Sequence, residues 1–522
     1  MAFIGKNAIE NLTTAMYEDL RIIYREYIQN AADSIDKAIA RNLIKESEAR
    51  IDIDIDPKKR IITVCDNGVG ISNSKFLKVM SSIADSEKDR TEEKGFRGIG
   101  RLGGISSCDT LRFSCSAVGE TTISVCTWDA KAVREILIDD TKNPSAEELV
   151  DIVTSYDDSG VCDENEHYFK VELIGVDDTS LELLDVNNIK EYLRSVAPIP
   201  YAVGFIFKSK IAEFAKNNGF KIDEYQVFVN GERLFKPYTT NLYEPKNASK
   251  QIYDSLVDVA FEIFTDNQEQ VLAWMWYGIS KFEKQIPSIN PMRGIRLRKD
   301  NIQIGNENTF SAHNFYDETR GCLYFVGEVF AVNPDLIPNA RRDYFNLNST
   351  CREFEYQLRP LFHDRFKKIY HYANDFKKAL QKQQDLVSSQ EDYREKIETG
   401  GFLDAEDKQK EEKAIEEKRK AAEKAAKLIE TRDTKEKTDE VLSKVYKALR
   451  SDYTPKDPAP VAEPSVTPKS PAKSKQYMAQ SLSQYSKKEQ KLIGRIYGIL
   501  NAILPHDTAM LVINKVQEEL SK

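Results

Sequence analysis

The chain has 522 residues, of which 41% are hydrophobic and 30% are charged, so it is long enough for two or three domains with separate cores. No run of about 18 apolar residues occurs and the N-terminus lacks the apolar stretch of a signal peptide, so we expect a cytoplasmic protein without a membrane anchor. A formal charge of −9 provides no overall attraction to nucleic acid, and seven cysteines without a C-x-x-C pair argue against a zinc site or a disulfide framework.

The first strongly helical segment carries an acid and a carboxamide on one side. Glu26, Asn30, Asp33 and Lys37 fall on one narrow face at about 100° per residue. Apolar residues recur beside them at steps of three and four, namely Leu20, Tyr24, Tyr27, Ile28, Ala31 and Ile35. The pattern predicts a helix anchored in a core, whose polar face is either a solvated surface or part of a site.

The next segment predicts a hairpin that ends in a carboxylate. Isoleucines alternate with aspartates over residues 51–56, a proline turn follows, and residues 61–65 return as a buried strand. Asp66 stands at the exit of this strand, and Gly68 and Gly70 would let another group lie close to the backbone. The alternative is an ordinary turn.

Glycines are concentrated in residues 95–104, GFRGIGRLGG. Five glycines in ten residues expose backbone N–H groups, which suit either a phosphate cradle or a flexible hinge. The segment matches neither a Walker A loop nor a Rossmann fingerprint. Further alternating segments predict strands of a sheet with helices on one face, at residues 111–116, 121–127 and 168–173. The predicted fold class is therefore α+β.

Taken in order, these motifs resemble the nucleotide site of the GHKL ATPases, which include Hsp90 chaperones, DNA gyrase B subunits, MutL, MORC proteins and histidine kinases. The E-x-x-x-N-A-x-D helix, the D-x-G-x-G turn and the G-x-x-G-x-G loop are all present. Residues 25–37 are most similar to the first site helix of Hsp90, and residues 83–86 resemble the start of its lid. The resemblance implies a Bergerat-type α/β sandwich that binds ATP.

The resemblance also implies roles for individual residues. Glu26 would be the general base that activates water, and Asn30 would hold Mg²⁺ through its carbonyl oxygen. Asp66 would accept the exocyclic amine of adenine. The other implied nucleotide contacts are Asp33, Gly68, Gly70, Gly95, Gly98, Ile99 and Gly100. We cannot match the late Gly-Thr motif of the family to residues 167–173, HYFKVEL.

A second α+β region is expected over residues 196–370. Strands are predicted at residues 225–232 and 271–278. Residues 292–301 alternate cations with apolar residues, so one side of that strand would be cationic. Its Arg298 and Lys299 either line a binding surface or face solvent and acidic partners.

One loop of this region carries a second candidate catalytic residue. Residues 335–343, DLIPNARRD, resemble the Hsp90 middle-domain loop whose arginine contacts the γ-phosphate. Arg342 takes the matching position, where a cation would stabilise the transition state of hydrolysis. The resemblance therefore implies an S5-like transducer domain, as in Hsp90, MutL and MORC proteins.

The last third of the chain is expected to be helical and then extended. Residues 371–450 predict a charged arm, either one long helix or a weak coiled coil rather than a stable two-stranded seam. Prolines indicate a disordered linker at residues 451–476. Ser486 and Glu489 form a capping box for a helical hairpin within residues 477–522. So small a hairpin is expected to dimerise, to bind a partner or to dock on its own chain.

The predicted protein is an ATP-hydrolysing, Hsp90-like homodimeric clamp that acts on a protein client, with an ATP-binding domain at residues 1–195 and the transducer after it. One alternative is a MORC- or MutL-like clamp on DNA. Another is an ATP-dependent scaffold or sensor of a bacterial defence system. A histidine kinase fits less well because no histidine precedes Glu26.

Overall fold

The structure, a computed structural model, describes residues 6, 19–82, 100–399, 401–402, 405–436, 439–451 and 485–520. Residues 1–368 form one compact unit and residues 369–522 form a second. Among the described residues, no helix is both long enough and apolar enough to cross a membrane.

The described part of the chain contains fifteen strands, all in the first unit. In chain order they are β1 (Arg50–Asp56), β2 (Ile61–Asp66), β3 (Cys108–Ser116), β4 (Thr122–Asp129), β5 (Thr154–Val161), β6 (Tyr168–Val176), β7 (Gln226–Val229), β8 (Glu232–Arg233), β9 (Asn241–Lys246), β10 (Ser249–Ser255), β11 (Asp258–Thr265), β12 (Val271–Ile279), β13 (Gly294–Lys299), β14 (Ile302–Ile304) and β15 (Val326–Ala331).

The same described ranges contain thirteen α-helices, which are α1 (Ile22–Ala40), α2 (Asn73–Ser81), α3 (Ala130–Ile138), α4 (Ala146–Val153), α5 (Val186–Val196), α6 (Lys208–Asn217), α7 (Thr309–Ala312), α8 (Ser349–Pro360), α9 (Phe366–Thr399), α10 (Ala405–Glu436), α11 (Glu440–Ser451), α12 (Lys487–Ile503) and α13 (His506–Leu520). Short 3₁₀ helices cover Glu46–Glu48, Gly100–Ser106, Asp178–Leu184 and Thr319–Tyr324, and a π-helical turn covers Leu361–Arg365. Sheets followed by long helices confirm the predicted α+β class.

Eight strands form the first sheet, in the spatial order β5-β4-β3-β6-β2-β1-β7-β8. The predicted hairpin is confirmed, because β1 and β2 pair antiparallel with Ile53 opposite Val64. Hydrophobic alternation sets this register, since the isoleucines of β1 are buried and the aspartates between them are not. Helices α1, α3 and α5 add apolar side chains to the same core, among them Ile28, Val133 and Ile189.

Five strands form the second sheet, in the order β11-β12-β15-β13-β14. Strand β12 is buried from Leu272 to Ile279, as its apolar run predicts. The segment predicted as a strand at residues 225–232 is also confirmed, but it does not join this sheet. Strand β7 pairs parallel with β1, and the turn at Asn230 leads to β8, so the chain returns to the first sheet before it builds the second.

The cationic strand of the sequence analysis is buried, and Arg298 has an acidic partner, which is one of the two alternatives that the sequence left open. Arg298 of β13 is 1% exposed, and its Nε atom contacts Glu328 of β15. Lys236 donates to the same carboxylate at 2.9 Å and is fully buried. Lys299 donates to the Asn333 carbonyl at 2.8 Å. Burying these cations is favourable only because each meets an oxygen acceptor.

The Lys236–Arg298–Glu328 triad links the second sheet to Lys236, which follows the last strand of the first sheet in the chain. Arg298 also donates to the Ser195 carbonyl at the end of α5, at 3.0 Å, and the Tyr201 hydroxyl contacts Glu328. Burial opposes ionisation of Glu328, but the charges of Arg298 and Lys236 outweigh it and lower the pKa of this carboxyl to about 2. The acid is therefore ionised at neutral pH.

The second unit begins as an antiparallel pair of helices. Near the end of α9, Tyr393 donates to Glu412 of α10 at 2.6 Å and its ring lies 5.4 Å from that of Phe402. One turn earlier, Ser389 accepts from Lys418. The arm thus folds back on itself instead of continuing as the single long helix allowed by the sequence. Whether it is a coiled coil stays a prediction.

The C-terminal hairpin has the expected start and two helices. The Ser486 N–H donates to Glu489 at 2.8 Å, which confirms the capping box. Tyr497 of α12 and Ile513 of α13 are buried in one small apolar cluster between the two helices. Apart from Ser451, the predicted linker at residues 451–476 lies outside the described residues.

The triad predicts that Glu328→Gln destabilises the first unit by about 3–5 kcal/mol, because the buried Arg298 cation loses its counter-charge. Since the pKa of Glu328 is lowered from 4.5 to about 2, its stabilisation is present above pH 4.5 and is lost as the pH falls towards 2. Denaturant unfolding measured between pH 7 and pH 3 should show a smaller acid dependence in the variant.

Glu307→Gln is the matched control, because Glu307 pairs with Arg296 at 3.2 Å but its side chain is 40% exposed. Its cost should stay below about 1 kcal/mol. Equal costs for the two substitutions would contradict the role given to the buried triad.

Candidate functional site

Helix α1 carries the predicted acid and carboxamide, and its polar face is not a solvated surface. Glu26 is 6% exposed and Asp33 is 5% exposed, whereas Asn30 is half-buried. Burying two carboxylates is costly unless they are paired or hydrogen-bonded. The structure therefore favours the alternative that this face is part of a site.

Arg342 supplies the partner of Glu26. Its Nε atom donates to Glu26 Oε1 at 3.3 Å, and the two side chains are 4% and 8% exposed. Arg25 donates from Nη1 to the Arg342 carbonyl, also at 3.3 Å. Arg342 itself has a φ of +58°, a left-handed conformation that is uncommon for a residue with a side chain. The fold thus joins two predicted catalytic residues that lie 316 positions apart.

Asp66 ends β2 and is buried beside a tight turn. Its Oδ1 atom accepts the Gly68 N–H at 2.9 Å, and the Val69 N–H donates to the Ser34 carbonyl of α1 at 3.2 Å. A Cβ atom at Gly68 would lie 2.0 Å from Ser34 Oγ. Only glycine lets the turn approach α1 this closely.

Gly70 closes the same turn against the neighbouring strands. Its φ is +65°, and a Cβ atom there would lie 1.9 Å from the Ser116 carbonyl oxygen. Two thiols line this end of the sheet, and burial raises the pKa of both Cys65 and Cys115 to about 12. They are therefore protonated packing groups at neutral pH and not nucleophiles.

Gly100 brings the glycine-rich segment onto α1. A Cβ atom at Gly100 would lie 2.2 Å from Glu26 Oε2. The Gly104 N–H donates to the Tyr27 hydroxyl at 3.2 Å, and that hydroxyl donates to the Arg101 carbonyl at 3.3 Å. This segment thus packs directly beside the acid. The other predicted contacts of the glycine loop lie outside the described residues, namely Gly95, Gly98 and Ile99.

His167 contacts the turn that follows Asp66, and the sequence analysis did not single it out. The strand residue opposite Asp66 is Phe169 of β6, which has no hydroxyl, so this position does not supply the contact expected of a Gly-Thr motif. His167 precedes β6, and its Nδ1 atom lies 2.6 Å from the Gly68 carbonyl oxygen. In the sequence, His167 is recognisable only as a polar residue just before a predicted strand. Periodicity does not predict that β6 pairs with β2, which brings His167 to Gly68.

The groups of this site match the chemistry of a nucleotide with its metal. Mg²⁺ usually takes one or two protein ligands and completes its shell with phosphate oxygens and water, so the Asn30 carbonyl fits. A guanidinium such as that of Arg342 fits phosphate oxygens. The Asp66 carboxylate accepts hydrogen bonds only, which fits an amine donor.

Residues 20–159 match the family model described as "Histidine kinase-, DNA gyrase B-, and HSP90-like ATPase". Over 163 residues the chain is 26% identical to chaperone protein HtpG of Salmonella paratyphi A. This alignment covers 28% of this chain and 26% of that relative. Over 86 residues it is 35% identical to chaperone protein HtpG of Halorhodospira halophila. This alignment covers 15% of this chain and 14% of that relative. The alignments thus span about a quarter or less of these relatives.

The Gly70 geometry predicts that Gly70→Ala destabilises the protein by about 2–5 kcal/mol, since a left-handed residue with a side chain and an overpacked contact add up. Gly119→Ala is the matched control, because its φ is +83° but no described atom lies within 4 Å of the added Cβ. It should cost about 1–2 kcal/mol. Thermal unfolding of both variants checks the difference, and equal losses would argue against the close approach of Gly70 to Ser116.

Proposed function

We propose that the protein binds ATP with Mg²⁺ and hydrolyses it as a homodimeric clamp on a protein client. The proposal starts from the match of residues 20–159 to the histidine kinase-, DNA gyrase B- and HSP90-like ATPase family. The observation that carries the proposal is the buried contact between Glu26 and Arg342. An acid poised to accept a proton and a cation suited to phosphate meet at one point.

Glu26 is the proposed general base. A carboxylate near the γ-phosphate can take a proton from the attacking water, and Gly100 leaves room for its Oε2 atom. Asn30 would hold Mg²⁺ on the same helix, and Asp33 lies one turn further along. At the other end of the site, Asp66 would accept the adenine amine while the glycines of its turn let the base lie against the backbone.

Arg342 is the proposed sensor of the γ-phosphate. Its guanidinium donates to Glu26, so the two charges neutralise each other. A phosphate would compete for the cation and release the carboxylate to act on water. Since Arg342 follows the second sheet in the chain, this exchange would couple nucleotide to the proposed transducer at residues 196–370.

A protein client is preferred over DNA. The relatives reported above are chaperone proteins by name. Arg298 of the cationic strand is buried on Glu328, so it is not exposed to bind DNA phosphates. The homodimer is a part of this proposal that rests on resemblance. The coiled-coil arm and the cytoplasmic location rest on the patterns described in the sequence analysis.

The proposal predicts different defects for Glu26→Ala and Asp66→Asn. Loss of the base should lower ATP turnover by about 100- to 10,000-fold while ATP still binds. Loss of the carboxylate should weaken ATP binding by roughly 10- to 100-fold, because a hydrogen bond to a charged group is lost. Phosphate release and calorimetric titration with ATP separate the two effects, and unchanged turnover of Glu26→Ala would refute the base.

The same Glu26→Ala protein can show which macromolecule the clamp holds. With ATP present it should suppress aggregation of an unfolded model protein and co-purify with protein. DNA binding that depends on salt and strengthens with ATP would instead support the DNA clamp.

Arg342→Ala should lower turnover by roughly 100-fold, as expected when a group that stabilises transition-state charge is removed. Arg341→Ala is the matched control. Arg341 precedes Arg342 in the same loop but is exposed, so it should be dispensable for turnover. Steady-state phosphate release at saturating ATP checks both. Turnover that is equal in the two variants would remove Arg342 from the catalytic site.

A further inference from the structure

The Gly68 carbonyl makes a short hydrogen bond that the proposed function does not use. Its oxygen lies 2.6 Å from Nδ1 of the half-buried His167. A carbonyl oxygen can only accept, so Nδ1 must carry the hydrogen. The bond survives in both protonation states of the ring, because the neutral tautomer with Nδ1–H and the imidazolium both donate from that nitrogen.

The bond completes a set of contacts that orients the peptide units of the turn. On one side the Gly68 N–H donates to Asp66 Oδ1 at 2.9 Å. On another, the Gly68 Cα packs against the Ser34 side chain, and the next N–H donates to the Ser34 carbonyl at 3.2 Å. The Gly68 carbonyl and the Val69 N–H belong to one peptide unit, which His167 and Ser34 hold from its two ends. The Gly68 Cα atom links this unit to the N–H that binds Asp66, so His167 restricts the movement of that N–H as well.

The strand beside Asp66 offers no substitute for this bond. Phe169 stands opposite Asp66 in the β2–β6 ladder, and a phenyl ring neither donates nor accepts a conventional hydrogen bond. The start of β6 is nevertheless in close contact with the turn, since a Cβ at Gly70 would lie 3.2 Å from the Tyr168 carbonyl oxygen. His167 is thus the side chain through which the start of β6 reaches Gly68 by a polar contact.

We propose that His167 is a positioning residue for base recognition, which holds the Gly68 peptide so that the Asp66 carboxylate stays aimed at an amine of the bound base. The inference rests on the proposed function, in which Asp66 accepts the adenine amine. Guanine presents a carbonyl oxygen where adenine presents that amine, so an immobile carboxylate rejects guanine. A mobile carboxylate rejects it less well.

The test compares three substitutions of His167 in the full chain. The asparagine amide nitrogen takes the place of Nδ1, whereas the glutamine amide nitrogen reaches the place of Nε2. His167→Ala and His167→Gln should weaken ADP binding roughly three- to tenfold, the effect of one net hydrogen bond. His167→Asn should bind ADP as wild type does. Turnover at saturating ATP should be unchanged in all three variants. KM should therefore rise in His167→Ala and His167→Gln without a loss of kcat, and it should stay at the wild-type value in His167→Asn.

Base discrimination is the readout that a merely structural role would not change. The ratio of ADP to GDP affinity, measured by calorimetry, should fall in His167→Ala and recover in His167→Asn. Asn165→Ala is the matched control, since Asn165 is exposed and hydrogen-bonds Asp163 in the same loop. It should leave ADP affinity and discrimination at wild-type values.

The failures of the two proposals are distinguishable. Wild-type protein that binds neither ADP nor ATP would refute the proposed function. Wild-type protein that binds ADP, with His167→Ala binding it equally well or His167→Asn failing to restore binding, would refute the role of His167 alone. A loss of ADP and GDP affinity by the same factor in His167→Ala would also overturn it, because Asp66 would then not be what His167 positions.

Discussion

The buried contact between Glu26 and Arg342 is the constraint on which the first unit depends. Neither charge is stable in an apolar interior without a partner, and the two come from opposite ends of that unit, from α1 and from the loop before α8. The contact therefore requires the first and second sheets to keep one relative position. Any ligand that takes Arg342 from Glu26 must supply equivalent charge, which a phosphate does.

A second buried set of charges braces the same arrangement from within. The Lys236–Arg298–Glu328 triad joins β13 and β15 to Lys236, which lies three residues after β8, and Arg298 reaches the end of α5. Two cations on one carboxylate leave little freedom, because moving either partner exposes an uncompensated charge. The proposed exchange of Arg342 between acid and phosphate would thus act on a stiff frame.

Much of the fold could be predicted from the sequence, because alternation and helical periodicity are local properties. The β1–β2 hairpin, the burial of β12 and the capping box at Ser486 all follow from neighbours in the chain. For Arg298 the sequence left a binding surface and an acidic partner open, because alternation identified the strand but not which face would be covered. The single long helix that the sequence allowed for the arm is wrong for a similar reason. Tyr393 contacts Glu412 because the chain turns back between two helices, and local periodicity does not specify that turn.

The sequence by itself determined the kind of groups at the site: an acid and an amide one helical turn apart, a carboxylate before two glycines, and a glycine-rich segment. Only the tertiary structure decided which of them meet. It brought Arg342 to Glu26 and His167 to Gly68, and it buried Arg298. The physical reason is that periodicity specifies which face of an element is apolar, whereas the partner of a buried polar group is set by strand order and by packing between distant segments.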